Sequence, residues 1–167
     1  VFDDGRAGGI GRGEDPFGHA ALHARATDYV SGVFLVTPAP VWRMLGGFDV
    51  ALAPAYYEDT DLAFKVRAAG LRVMYQPASH VVHFEGISSG TDLSSGIKRY
   101  QVVNQTKFLD RWQDVLKMQP EPTDHSGIWR AATHRAHGRI LLIDATTPTP
   151  DQDSGSVRYI NLIRVLR

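Results

Sequence analysis

The chain has no cysteine, no net charge and no long apolar run, and each absence closes off a class of protein. Without cysteine there are no disulfide staples and no thiolate metal sites, which fits a reducing compartment. Lys plus Arg equals Asp plus Glu at 18 each. No overall field therefore draws the chain to nucleic acid or to an anionic membrane, and no nucleic-acid partner is expected. The longest apolar runs, Val33-Phe34-Leu35-Val36 and Ile140-Leu141-Leu142-Ile143, fall far short of the ~20 residues a membrane helix needs. No signal peptide precedes them. The expectation is a cytoplasmic protein without a transmembrane segment, with any association to the inner membrane peripheral or supplied by other sequence.

What is present is enough for a folded body. At 167 residues, 43% hydrophobic and 22% charged, the composition is that of an ordinary globular domain with a real core rather than a disordered chain. The chain opens on Val1 in mid-pattern and closes on Arg167 inside an amphipathic run, so it reads as a piece of a larger protein.

The most informative stretch is Tyr56-Tyr57-Glu58-Asp59-Thr60-Asp61-Leu62-Ala63-Phe64, which sets three carboxylates at the mouth of a helix with two tyrosines just ahead. Acidic residues in a first helical turn also stabilise the helix dipole and satisfy free backbone N–H groups with no chemistry involved, so neither reading is excluded by the turn alone. Some twenty residues later, His80-Val81-Val82-His83-Phe84-Glu85-Gly86 reads as a strand whose period of two puts Val81, His83 and Glu85 on one face. Such a strand could bring an imidazole beside the carboxylates.

Four motifs occur in order: Tyr29-Val30-Ser31-Gly32, Gly46-Gly47-Phe48-Asp49, Tyr57-Glu58-Asp59-Thr60-Asp61, and His83-Phe84-Glu85-Gly86 followed by Ser88. The series resembles the family 2 glycosyltransferases, from about Tyr29 to Trp112, and corresponds to the C-terminal, acceptor-side half of their GT-A catalytic domain. The resemblance implies an α/β fold: a partial GT-A, Rossmann-like layered sheet with flanking helices, lacking its N-terminal half. It implies an inverting transfer from a nucleotide-diphosphate sugar to a glycan or lipid-linked acceptor, with Asp59 as general base. Tyr57 would face the acceptor, Glu58 and Asp61 would position acceptor hydroxyls or only orient the loop, and His83 would ligate the Mg²⁺ or Mn²⁺ that holds the diphosphate. The half that carries the nucleotide site and the Asp-x-Asp metal motif is not in the chain. Asp3-Asp4 sits in a glycine-rich loop and is no substitute, so the piece alone is expected to be inactive.

The rest of the chain arranges itself around these motifs. Residues 1–18 read as a glycine-rich loop; no strand leads into Gly9-Ile10-Gly11-Arg12-Gly13, so a phosphate loop is disfavoured. Asp15-Pro16 can start a short helix carrying His19 and His23, two histidines without a third ligand. Val33 to Thr37 reads as a buried strand, and Pro40 to Leu45 as a helix stopped by Gly46-Gly47. From Asp61 a helix shows Leu62, Val66 and Ala69 on one face, with Asp59 or Thr60 as N-cap and Gly70 as stop. Leu71 to Tyr75 is the next strand. A Ser- and Gly-rich connection, 86–96, precedes Lys98 and Arg99, which either meet the diphosphate or form a solvated face. A long helix from Ile97 to Lys117 carries Tyr100, Asn104, Phe108 and Trp112 at four-residue spacing, a stripe suited to core.

Three domain segments follow: 1–118 as the GT-A half, 119–138 as a linker rich in Pro and Gly, and 139–167 as a strand and helix resembling the opening of a GT-B glycosyltransferase domain. The competing functional classes are a non-catalytic module of the same fold that binds glycan or docks a neighbouring domain, and a metal hydrolase using Asp59, Asp61 and His83.

Overall fold

The computed structural model describes residues 1–19, 21–84, 94–124, 127–136, 138 and 140–166. It is a mixed α/β structure in two compact units, Val1–His134 and Arg135–Arg167. In chain order the elements are β1 (Arg25–Thr27), α1 (Ala39–Leu45), α2 (Glu58–Ala68), β2 (Val73–Tyr75), α3 (Tyr100–Leu116), α4 (Ile128–Ala132) and α5 (Ser154–Leu166), with short 3-10 turns at Val50–Leu52 and Ile97–Arg99.

The core of the first unit lies between α2 and α3. Phe64, Phe108 and Leu116 are buried together, with Tyr57, Leu109 and Trp112 packed against them. The rings stand edge-on or tilted, Phe64 to Phe108 at 5.0 Å and Phe64 to Trp112 at 5.4 Å between centroids, the geometry that ring quadrupoles favour. The expected stripe of α3 is therefore the core seam, with Asn104 and Phe108 fully buried in it. On α2 the buried run is Thr60 to Phe64, whereas Val66 is half-buried and Ala69 exposed. The expected face from Leu62 through Val66 to Ala69 fails because Asp61 turns inward to ion-pair partners, so burial wraps round the first half of the helix.

Helix boundaries follow local chemistry. Pro40 sits in the first turn of α1, where a missing N–H costs nothing. The helix ends on Gly46 at φ 74°, and Gly47 follows at φ 64° with the Trp42 ring so close that a Cβ would lie 2.6 Å from it. Both glycines are required there, one by the left-handed turn and both by positive φ. α2 carries Glu58, Asp59 and Asp61 in its first turn and Lys65 and Arg67 in its last, matching the helix dipole at both ends. Its N-cap is Tyr57, whose carbonyl accepts from Asp61 N–H at 2.8 Å, two or three positions before the expected cap.

Strands fare differently. β1 and β2 pair antiparallel, Arg25 opposite Tyr75 and Thr27 opposite Val73, with the Arg25 guanidinium 4.4 Å from the Tyr75 ring. Among the described residues this two-stranded sheet is the whole of the β structure. The strands expected at 33–37, 80–84 and 139–144 do not form among the described residues, and Val36, Val82, Leu141 and Ile143 are strongly exposed. An extended segment becomes a strand only when a neighbour takes up its N–H and C=O groups, and among the described residues none of these pairs in a sheet. The short helix expected from Asp15 is a set of turns instead.

The segment 119–138, read as a linker, is divided between the two units. Up to His134 it belongs to the first unit, where α4 buries Ile128 and Ala131 against Phe2. In the second unit α5 forms as expected, its start capped by Asp153, which accepts from Ser156 N–H at 2.8 Å. Among the described residues no helix is long and apolar enough to cross a membrane.

Candidate functional site

The site is built on the loop that enters α2. Tyr56 and Tyr57 both adopt left-handed backbone, φ 74° and 71°, a conformation that costs a non-glycine residue roughly 1 kcal/mol or more and persists only when its surroundings enforce it. The enforcement comes from α3. The Asn104 side-chain amide, fully buried, donates to the carbonyls of Leu52 at 2.7 Å, Ala55 at 2.9 Å and Tyr56 at 3.1 Å. Lys107 donates to the Ala51 carbonyl at 2.7 Å and to Asn104 Oδ1 at 3.0 Å. The Tyr57 ring packs on Phe108 at 5.3 Å. One polar residue in an apolar stripe thus fixes the approach to the acidic turn.

Asp59 is half-buried at the head of the helix. Its Oδ1 accepts from Thr60 N–H at 2.7 Å and from Thr60 Oγ1 at 3.2 Å, and its Oδ2 accepts from Gly32 N–H at 2.7 Å. That last bond brings the motif Tyr29-Val30-Ser31-Gly32 against the acidic turn across 27 positions of sequence. Burial, then the Asp59 charge, pushes the Tyr29 phenol above its ordinary value, with Arg12 opposing. Burial foremost, with Asp4, Tyr29 and Asp59 adding and Arg6 opposing, pushes Tyr57 up to about 12. Both phenols therefore stay protonated at neutral pH and can donate hydrogen bonds.

Glu58 lies beside Asp59 and is half-buried; its Oε2 is enclosed and takes no hydrogen bond from the described residues. Burial raises its carboxyl above the usual range, its own backbone N–H opposes, and the Asp59 charge adds. Asp61 has a different place. Fully buried, it accepts from Arg111 and from Trp112 Nε1, both at 2.9 Å on Oδ1, and pairs through Oδ2 with Lys65 at 3.1 Å. Arg111 also pairs with Asp49 at 2.6 Å. Asp49 lies below the usual carboxylate range, chiefly through the Ala51 N–H, with Arg111 adding against a desolvation penalty. Asp61, expected at the acceptor, makes contacts here that lock α2, α3 and the turn after α1 together.

The other expected residues are scattered. Lys98 places its ammonium 5.0 Å from the centre of the Tyr56 ring, beside the loop that enters α2. Arg99 donates to the Tyr100 hydroxyl at 3.2 Å. His83 is exposed on an extended segment. Glu85, Gly86 and Ser88 lie outside the described residues. A cavity of about 570 Å³ has Tyr29 to Ser31, Ser79 and Val81 among its lining residues, and neither Asp59 nor His83 lines it. Among the described residues no group of three or more His, Asp or Glu side chains could hold a metal ion. One imidazole is not a divalent-metal site, which needs several hard ligands, so the described residues do not fit a metal by themselves.

Reasoning from sequence missed the contact between Gly32 and Asp59, the grip of Asn104 and the tie through Arg111. The signal for Asn104 was available: an amide among aromatic residues at core spacing must find hydrogen-bond partners there.

No protein-family model matches the chain, and no solved structure matches it. Two curated proteins do: the N-acetylglucosaminyl-diphospho-decaprenol L-rhamnosyltransferases from two strains of Mycobacterium tuberculosis, each 29% identical over 107 residues. The match covers 64% of this chain and 30% of each relative, so the matched part spans under a third of the relatives' length. The similarity supports a glycosyltransferase family for the chain.

Proposed function

We propose that the chain is the acceptor- and base-bearing part of an inverting, GT-A-type glycosyltransferase, moving a hexose-type sugar from a nucleotide-diphosphate donor to an acceptor hydroxyl. The observation that carries this reading is the Asp59 carboxylate, held at a helix mouth by Gly32 and Thr60 and flanked by two protonated phenols and Glu58. Three donors occupy three of the carboxylate's roughly four lone-pair sites and leave one on Oδ2 for an incoming hydroxyl.

In this reading Oδ2 of Asp59 takes the proton of the acceptor hydroxyl as its oxygen bonds to the anomeric carbon. The bond from that carbon to the diphosphate oxygen breaks in line, and the nucleoside diphosphate leaves with the electron pair. Tyr57 and Glu58 hydrogen-bond the acceptor, and Asp61 positions them from beneath through α2. Lys98 and Arg99 supply positive charge toward the diphosphate. A Mg²⁺ or Mn²⁺ ion on the diphosphate, with His83 among its ligands, would draw its other ligands from outside the described residues; when bound it would neutralise charge on the leaving group.

The donor half is assigned to sequence outside this chain. Two facts support this: the extended segments at 33–37 and 80–84, which join no sheet among the described residues and expose Phe34, Val36, Val82 and Phe84, and the 30% coverage of the relatives. The isolated chain is then inactive. By likeness to the relatives, whose name specifies a lipid-diphosphate-linked acceptor, the acceptor is a glycan or lipid-linked sugar, and the setting is polysaccharide or cell-wall assembly.

Asp59→Asn in the parent protein tests the reading. Melting and donor binding should persist while transfer falls about 10²–10⁴-fold, the usual worth of a general base. Unchanged turnover would remove Asp59 from the chemistry.

A further inference from the structure

Gly32 lies close against the side chain of Asp59, so that an added Cβ would press on it. Its N–H donates to Asp59 Oδ2 at 2.7 Å. A Cβ built on it would lie 3.3 Å from Asp59 Cβ and 3.4 Å from Oδ2, tighter than ordinary van der Waals contact. Gly32 is not among the glycines of positive φ, unlike Gly46, Gly47 and Gly70. Backbone conformation therefore does not call for glycine here, and the nearest atoms that an added Cβ would meet belong to the Asp59 side chain. No second segment touches that oxygen with a hydrogen bond among the described residues, since the remaining donors to Asp59 come from the adjacent Thr60.

We propose that Gly32 is a positioning residue for the base: its N–H fixes the plane and orientation of the Asp59 carboxylate, and its missing side chain leaves the remaining Oδ2 lone pair open to the acceptor hydroxyl. The inference rests on the base role proposed for Asp59. It gives the motif Tyr29-Val30-Ser31-Gly32 a defined task. Tyr29 and Ser31 line the cavity beside it, so the segment that orients the base is also one wall of the space next to it. The charged and titratable groups facing the carboxylate are Glu58 on its own helix, Tyr57 before that helix, and Tyr29 from the opposite segment, with Arg12 near Tyr29.

Two measurements test this. In the 167-residue chain, the Gly32 amide proton, followed by nitrogen–proton correlation spectroscopy during an acid titration, should shift as Asp59 takes up its proton. The shift should disappear in Asp59→Asn. A Gly32 amide whose titration is the same in both proteins would overturn the hydrogen bond. In the parent protein, Gly32→Ala should lower kcat about tenfold while the donor KM stays put, because a displacement of tenths of an ångström at the base acts on the transition state more than on donor binding. Gly32→Val should lower it further. Gly138→Ala, whose added methyl meets nothing within 4 Å, serves as the control. Loss of turnover in Asp59→Asn combined with wild-type kcat in Gly32→Ala would overturn the positioning role and leave the base standing.

Discussion

The helical side of the first unit and its extended side obey different rules. On the α2–α3 side, Phe64, Phe108 and Leu116 are sealed, and the buried polar groups Asn104 and Asp61 have partners. On the extended side, Val33, Phe34, Val36, Val81 and Val82 stand in solvent although they are as apolar as the core. Composition does not separate the two sides; the source of the backbone hydrogen bonds does. A helix satisfies its own N–H and C=O groups and needs a neighbour only for its apolar face. A strand needs a neighbour for both. The helical side is therefore complete within the chain, and the extended side has the character of half an interface.

Paired truncations would break this comparison most directly. Phe108→Ala removes a ring that is 1% exposed and touches Tyr57 and Phe64, and should cost about 3–5 kcal/mol in urea unfolding. Phe34→Ala removes a ring that is 52% exposed and should cost under about 0.5 kcal/mol. Equal losses would show that the extended side is packed as tightly as the helical one. In the parent protein the gap should narrow, because there Phe34 gains neighbours if the donor half is assigned correctly.

What was legible in the sequence divides along the same line. Pro40, Gly46 and Gly47 punctuate α1, and the four-residue spacing on α3 marks its buried seam, because those signals act within one or two helical turns. The strand at 73–75 was also legible, while its partner at 25–27 was not: Arg-Ala-Thr carries no apolar alternation, and its pairing depends on Arg25 covering Tyr75. Val33 to Val36 has the composition of a buried strand, but burial is a property of what arrives opposite. At the site, the acidic turn and its tyrosines were evident as a cluster. The division of labour within it was not, since nothing local distinguishes Asp59 at the surface from Asp61 under Arg111 and Trp112. Two positions along a helix are enough to rotate a carboxylate from the mouth to the core.

The tie through Arg111 offers a smaller and sharper test of the helical side. Arg111 bridges Asp49 at 2.6 Å and Asp61 at 2.9 Å, and attachment to Asp61 raises its own proton affinity further. Arg111→Met keeps the stem that packs along the seam and removes the charge. Lys65 and Trp112 still attend Asp61, so the loss should stay near about 3 kcal/mol, the lower end for breaking a buried pair. The size of the loss should fall little in high salt, since the Asp61 end is buried and screened weakly. A loss that vanishes in salt would make the tie a surface pair.

The smallest effect belongs to Glu58, and its sign is the useful part. Burial, and after it the Asp59 charge, raises this carboxyl in the folded chain. A raised acid contributes stability that is fully present below its unfolded value of 4.5 and is lost as pH rises through the folded value. At neutral pH the ionised group is thus held at a disadvantage, with an enclosed oxygen that takes no hydrogen bond from the described residues. Glu58→Gln relieves the charge while keeping the shape. Its melting temperature should rise slightly above that of the parent sequence at pH 7, and the gain should disappear once the native glutamate is itself protonated. Under the proposed acceptor role the same substitution should weaken acceptor binding in the complete enzyme, because a carboxylate accepts a hydrogen bond from a sugar hydroxyl more strongly than a neutral amide does. A variant equally stable at every pH, with acceptor KM unchanged, would remove Glu58 from the proposed acceptor contact and leave its burial without effect on stability.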